Sequence, residues 1–248
     1  MPIISTEAFV LRSYKLAEND KIVVLYTKQL GKIRLVAKGA RKLRNRFGAA
    51  LEVFAHLSVM FHLKENRDLL VLDRAEILYS PFEKQTRLRT SYYLFYFAEL
   101  INEFCPENEK SSAAFKILLN IESAIRGGQN LDYVARFVEL QLLHSQGILS
   151  SVAFCSKCRR HFESPLEKRY LGTESEIYCA RCRTSESVLL SVGLVRSIDH
   201  FERGSVDWAA TLPGSILGEL GSFNHLLITR FLGKELQSYK FRSKLSSV

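Results

Sequence analysis

The sequence predicts an α+β protein: a five-stranded antiparallel barrel at the N-terminal end, followed by an α-helical domain that carries an inserted four-cysteine motif. Three observations predict it. Apolar residues recur in short period-two runs up to about Ser80, the period lengthens to that of helices after Pro81, and Cys155, Cys158, Cys179 and Cys182 stand as two C-x2-C pairs. With 248 residues, 47% hydrophobic and 25% charged, the chain suffices for one large domain or two to three small packed units. No repeat, low-complexity tract or Gly/Ser-rich linker interrupts it.

Five β-rich runs open the chain: Glu7 to Ser13, Lys21 to Thr27, Lys32 to Ala37, Val53 to Leu63, and Leu69 to Tyr79. In the fourth, Leu57, Val59, Phe61 and Leu63 share one face and Ser58 and His62 the other, the alternation of a half-buried strand. Glu18-Asn19-Asp20, Gln29-Leu30-Gly31 and Lys64 to Asp68 supply turns. Five short strands in about 80 residues suit a small barrel, of which the OB-fold is the common nucleic-acid-binding version. The expected boundaries are 1–81 for the barrel, 82–248 for the helical domain and 151–186 for the cysteine motif.

Lys84 to Phe104 is apolar nearly all round and predicts a buried helix whose aromatics, Tyr92 to Phe97, are core; no basic residue is interleaved to suggest base stacking. Ser111 or Ser112 could cap a second helix that ends at Gly127-Gly128. Asn130 could cap a third, with Gly147 past its end. Ser191 to Arg203 and Pro213 to Leu232 read as two more, although Gly218 and Gly221 weaken the last.

The cysteine pairs are separated by 20 residues, and each C-x-x-C turn can offer two sulfurs to one tetrahedral ion. One structural Zn²⁺ held by Cys155, Cys158, Cys179 and Cys182 is the leading reading; a redox pair, an iron–sulfur cluster and unligated thiols are the alternatives. Four sulfurs leave no open coordination position, so the ion would staple the fold and activate no water. Cys105 reads as a small buried apolar residue, and His161 is not needed as a ligand. Lys157, Arg159, Arg160, Arg181 and Arg183 crowd the cysteines, either to contact DNA or to balance the negative charge of a tetrathiolate site.

Net charge is +9 with a pI near 9.3, a balance that favours polyanionic partners. Its centre is the stretch from Lys21 to Leu51, with nine basic residues and no acidic one. Solubility charge is ordinarily mixed in sign, whereas an unneutralised run collects phosphates and releases their counterions. Arg34, Lys38, Arg41, Lys42, Arg44 and Arg46 belong to this run, most of them on a flexible basic connection between the third and fourth strands that can follow a phosphate backbone. Tyr14, Tyr26, Phe47 and Phe54 are the nearby aromatics; Tyr26 should be half buried, and Phe47 is the best candidate for stacking on a base. Phosphate contacts position without specifying, so no sequence preference is expected.

No phosphate-binding glycine loop, H-E-x-x-H or carboxylate cluster is present, which argues against an enzyme. Glu7 breaks the N-terminal apolar run and no basic n-region precedes it, which predicts no signal peptide and an intracellular, thiol-reducing setting. The most apolar stretch, Tyr92 to Ile101, is too short to span a bilayer and contains Glu99.

Glu7-Ala8-Phe9-Val10-Leu11, Thr27 to Gly31, Lys38-Gly39-Ala40-Arg41, a helical middle, and the paired C-x-x-C after Gly147-Ile148-Leu149 together resemble the bacterial recombination mediator family RecO over essentially the whole chain. The resemblance implies an N-terminal OB-fold, a helical domain with a zinc insertion on the four cysteines, and binding of single- and double-stranded DNA with Arg34, Lys38, Arg41, Lys42, Arg44 and Arg46 as the DNA contacts. It also implies annealing of complementary strands and, with RecR, assistance to RecA loading on DNA covered by single-strand-binding protein, in a bacterial cytoplasmic, nucleoid-associated setting. Arg159 departs from the pattern, since glycine often follows the second cysteine of such knuckles. A zinc-ribbon transcription or translation factor is the competing function.

Overall fold

The computed structural model describes residues 3–63, 69–82, 88–203 and 212–240. The expected turn from Lys64 to Asp68 and the first residues of the helix expected from Lys84 lie outside them. Strands β1 (Ile3–Lys15), β2 (Lys21–Thr27), β3 (Gly31–Ala37), β4 (His56–His62) and β5 (Leu70–Tyr79) close into a barrel in the order β1-β2-β3-β5-β4. One joint differs from the all-antiparallel expectation: β3 meets β5 in parallel. Once β4 pairs with β1 and β5 folds back on β4, the strand returning to β3 can only run in its direction.

Period-two alternation fills the barrel. Val23 and Leu25, Ile33 and Leu35, and Leu57, Val59 and Phe61 are each at most 3% exposed and form its core with Ala8, Val10 and Leu72. In β1 the parity changes: Val10 pairs with Leu25 but Arg12 pairs with Val24, so a bulge at Leu11 adds a residue. Bulges re-aim side chains. Residues of even number, which point inward at Ala8 and Val10, point outward at Arg12 and Tyr14.

Two helices, α1 (Leu88–Phe104) and α2 (Ser112–Arg126), belong to the same compact unit as the barrel, Met1–Gly128 with Leu236–Val248. A second core of rings joins them to it. Phe9 stacks on His56 at 4.2 Å, meets Phe54 at 5.5 Å and Phe115 at 5.7 Å, and Phe54 reaches Phe97 at 6.4 Å. Phe54 takes a left-handed backbone, φ 67°, which costs about 1–2 kcal/mol; burying a phenylalanine recovers about as much or more. The helix is less completely covered than its sequence suggests: Tyr93, Tyr96 and Phe97 are buried, but Phe95 is 53% exposed. Beyond Leu236 the chain returns to α1, where the Glu99 carboxylate accepts from the backbone N–H of Gln237 and Ser238 and the Tyr96 and Tyr239 hydroxyls meet at 3.0 Å.

The second unit, Gln129–Glu235, contains α3 (Leu131–Ser145), the short strands β6 (Arg169–Leu171), β7 (Ile177–Cys179) and β8 (Val188–Leu189), α4 (Val192–Glu202) and α5 (Gly214–Leu232). Two caps fall where the sequence puts them, Ser111 and Asn130 accepting from the backbone N–H of Ala114 and Asp132; Ser191, expected as the first residue of its helix, is instead its cap and accepts from Leu194, each cap worth about 1 kcal/mol. Gly221 has a packing reason. It faces the Arg136 guanidinium, which pairs at 2.7 Å with the fully buried Glu139, itself accepting from Asn224; a Cβ at Gly221 would collide with Arg136.

Candidate nucleic-acid interface and metal centre

The β3–β4 connection begins at Gly39, whose φ of +71° suits glycine and whose N–H donates to Asp20 in the β1–β2 turn. Arg41 donates its guanidinium to the carbonyls of Ala17 and Glu18 in the same turn, and its backbone N–H to Asn19. Asn45 accepts from the N–H of Phe47 and Gly48 and donates to the Lys42 carbonyl, closing a side-chain-capped turn. Ala40, Phe47, Ala50 and Leu51 then drop into the barrel core. The connection is therefore a plugged, hydrogen-bonded cap, not the flexible loop that its lysines and arginines suggest; the buried apolar residues between them supply the anchorage.

That anchorage overturns the stacking expectation. Phe47 is 4% exposed, and Tyr26 and Phe54 are fully buried, so among the four candidate aromatics only Tyr14, at 37%, reaches solvent. The cations divide into two groups. Arg34 pairs with Glu107, Arg41 is held by carbonyls, and Arg46 lies over the Phe47 ring with Asp73 at 3.6 Å. Lys38, Lys42 and Arg44 are exposed and, among the described residues, have no carboxylate within ion-pairing distance. A phosphate could meet these three without displacing an internal partner.

Behind β3, the chain after α1 runs alongside the strand: Asn108 donates its N–H to the Lys32 carbonyl, and the Lys32 ammonium donates to the Asn102 carbonyl at 2.5 Å. Burial pulls the Lys32 amine below its usual value, although Glu107 opposes the shift. Burial likewise pushes the Cys105 thiol up to about 11 and the Tyr26 phenol to about 12. Cys105 thus behaves as the inert buried residue expected.

In the other unit, the four sulfurs of Cys155, Cys158, Cys179 and Cys182 all lie within 4.8 Å of one another. A tetrahedral ion with Zn–S bonds of about 2.3 Å needs sulfurs about 3.8 Å apart, and Cys158 and Cys179 stand at 3.9 Å. Two tight turns present them. Arg159 N–H donates to the Cys155 carbonyl and Arg183 N–H to the Cys179 carbonyl, at 2.9 and 3.1 Å. Arg159 adopts φ 61°, the conformation for which glycine is the usual choice, and its guanidinium lies 4.3 Å from the centre of the Phe154 ring. Cation–π contact offsets part of the strain.

Burial would raise the Cys155 thiol, but backbone N–H groups of Cys158, Cys179 and Lys157 overcome it and pull the value down to about 6. At Cys182 burial and the neighbouring thiols push the other way, to about 12. Like charges so close cannot all persist alone, and a soft divalent cation is the natural partner of such a donor set.

Sequence reading missed the residue that frames the centre. Arg169, 4% exposed, donates to the carbonyls of Val152, Ser164, Pro165 and Glu167, stacks on Phe162 at 4.2 Å, and sits opposite Cys179 across β6 and β7. One more basic residue in a basic motif carries no distinguishing signal. Arg160 is neutralised by Glu167 at 2.8 Å, whereas Lys157 and Arg181 stand exposed. His161 faces the Phe154 ring, apart from the cysteine cluster.

Residues 1–81 match the family model described as Recombination protein O N terminal, and residues 85–240 match Recombination protein O C terminal. The chain belongs to the RecO family. Among RecO relatives, the DNA repair protein RecO of Koribacter versatilis is 29% identical over 242 residues, 97% of this chain and 98% of that protein. The RecO protein of Geobacter metallireducens is 33% identical over 177 residues, 71% of each chain. That of Symbiobacterium thermophilum is 28% identical over 254 residues, covering all of this chain and 99% of the relative. Among the described residues, no helix is long and apolar enough to cross a membrane.

Proposed function

We propose that this RecO-family protein acts in recombinational DNA repair as a non-enzymatic mediator. It binds single- and double-stranded DNA, anneals complementary strands and, with RecR, assists RecA loading on DNA covered by single-strand-binding protein. The observation that carries the reading is the cap over the barrel mouth, where Lys38, Lys42 and Arg44 project from an acid-free stretch with no carboxylate partner among the described residues. Strand order and closure support an OB-fold for residues 1–81, with 82–248 as the helical domain, whose α1, α2 and C-terminal end share the barrel's compact unit, and 151–186 as its metal insertion.

Annealing follows from this charge without any chemistry. Two strands repel through their phosphates, and a surface that neutralises several lowers the barrier to pairing while leaving base edges free. Arg34, Arg41 and Arg46 would extend the same surface, each by exchanging an internal partner for a phosphate. One Zn²⁺ on Cys155, Cys158, Cys179 and Cys182 supplies cross-linking energy to the second unit and no catalysis. Cytoplasmic, nucleoid-associated localisation accords with a DNA substrate.

The test is annealing of complementary oligonucleotides without nucleotide cofactor, with and without single-strand-binding protein. The reading expects faster annealing that survives coating of the strands. Annealing no faster than the spontaneous rate, or strand cleavage, would refute it, and a zinc-ribbon transcription or translation factor would then explain the basic, cysteine-bearing chain better.

A further inference from the structure

On the outer wall of the barrel, Arg12, Val24 and Arg34 stand on one rung: Arg12 pairs with Val24 and Val24 with Arg34 across β1, β2 and β3. The bulge at Leu11 is what brings Arg12 and Tyr14 to this outer face. They border a cleft of about 480 Å³, with Val24 in its wall and the end of α1 and Glu107 opposite. The Arg12 guanidinium lies 5.6 Å from the Tyr14 ring centre, and Tyr14 is 37% exposed. Across the cleft, Glu107 occupies Arg34, the side chains being 39% and 46% exposed.

This is the chemistry of one nucleotide, with a ring to stack on, an apolar surface beside it and guanidiniums for a phosphate. It also contains a carboxylate already sitting where that phosphate would go. We propose that this cleft is a single-strand nucleotide subsite in which Tyr14 stacks a base, Arg12 and Arg34 take the adjoining phosphate, and Glu107 is an internal anion that the phosphate must displace. The inference rests on the DNA-binding reading above and extends it to the outer face of β1, β2 and β3.

Displacement is feasible because an exposed ion pair is weak. The carboxylate then acts as a selectivity filter. Strands that supply both a stackable base and a phosphate evict Glu107, whereas a duplex, whose bases are stacked internally, gains only the phosphate. Single strands are therefore favoured at this face.

The experiment measures binding of a fluorescein-labelled oligothymidylate to the full-length protein by anisotropy, in a cycle of Glu107→Gln, Arg34→Ala and the double variant, with Tyr14→Ala and Tyr14→Phe alongside. Glu107→Gln is expected to tighten binding about twofold to fivefold, the range of an exposed pair. That gain disappears in the Arg34→Ala background. Tyr14→Ala weakens binding about fivefold or more, as loss of one stacked base requires, and Tyr14→Phe keeps it. An equal gain from Glu107→Gln with or without Arg34 would reduce Glu107 to background charge and overturn the proposal, as would unchanged binding in Tyr14→Ala. If these variants are silent while Lys38→Ala/Lys42→Ala/Arg44→Ala weakens binding, the subsite is wrong and DNA binding stands. If the unaltered protein fails to bind, both readings fall.

Discussion

Removing the Arg169 guanidinium tests how the candidate metal centre is framed. Its Nε donates to the Val152 carbonyl at 2.7 Å, and Nη1 donates to Glu167 at 2.9 Å and to Ser164 and Pro165 at 3.2 and 3.3 Å. Arg169→Leu retains the stem but orphans these carbonyls, of which Val152 is the most deeply buried contact. A charge-assisted bond contributes about 1.5–3 kcal/mol, and a stranded buried acceptor costs about 1–3 kcal/mol. Partial access of water to the Ser164 and Pro165 carbonyls discounts the outer bonds, leaving an expected loss of about 2–4 kcal/mol. For a chain of this size that is roughly 5–15 °C in Tm. Val152 lies three residues before Cys155 and Arg169 opposes Cys179, so both cysteine pairs lose their alignment. The assay is thermal unfolding of the zinc-loaded protein, with chelator competition for the ion. Arg169→Leu should lower both Tm and zinc retention, and Arg169→Lys should rescue neither, because an ammonium cannot reproduce the planar fork. Unchanged Tm and zinc retention in Arg169→Leu would refute the reasoning.

Gly31→Ala should cost at least about 2 kcal/mol in denaturant unfolding, because φ is +70° and the added methyl would meet the Glu109 carbonyl, forcing the segment after α1 off β3; a loss under 0.5 kcal/mol, roughly, would contradict it. Cys179→Ser should lower zinc content and thermal stability together, and full occupancy with an unchanged Tm would show that the ligand set is wrong. Burial holds the Glu202 carboxyl above its usual value against the donation from Ser151. A raised carboxyl penalises folding where it must ionise, so Glu202→Gln should raise Tm at neutral pH, with the gain fading as pH falls through the raised value and gone below the unfolded one. A gain of equal size at pH 4 and pH 7 would disprove that cause.

Much of this architecture could be read from local rules. β2 and the caps at Ser111 and Asn130 are where period and cap chemistry place them, because each depends on neighbours in sequence. The cysteine cluster was legible because spacing itself encodes a tetrahedral site. What could not be read depends on distant residues. The parallel β3–β5 joint follows from barrel closure, and Phe47 is buried because Ala50 and Leu51 draw the connection into the barrel mouth. Within the basic candidates, sequence identifies charge but not its internal partners: Glu107 lies 73 residues from Arg34. Only the bulge left a trace, in the switch from inward Ala8 and Val10 to outward Arg12 and Tyr14.

The central claim is that the cations of the barrel cap that lack a carboxylate partner among the described residues hold nucleic-acid phosphates. Its most direct measurement is the salt dependence of single-strand binding for the unaltered protein and for Lys38→Ala/Lys42→Ala/Arg44→Ala. Each single-strand phosphate contact contributes about 0.7 to the slope of log K against log salt, so loss of three should flatten it by about 2. A variant that binds with an undiminished slope would place the phosphates elsewhere and contradict the account.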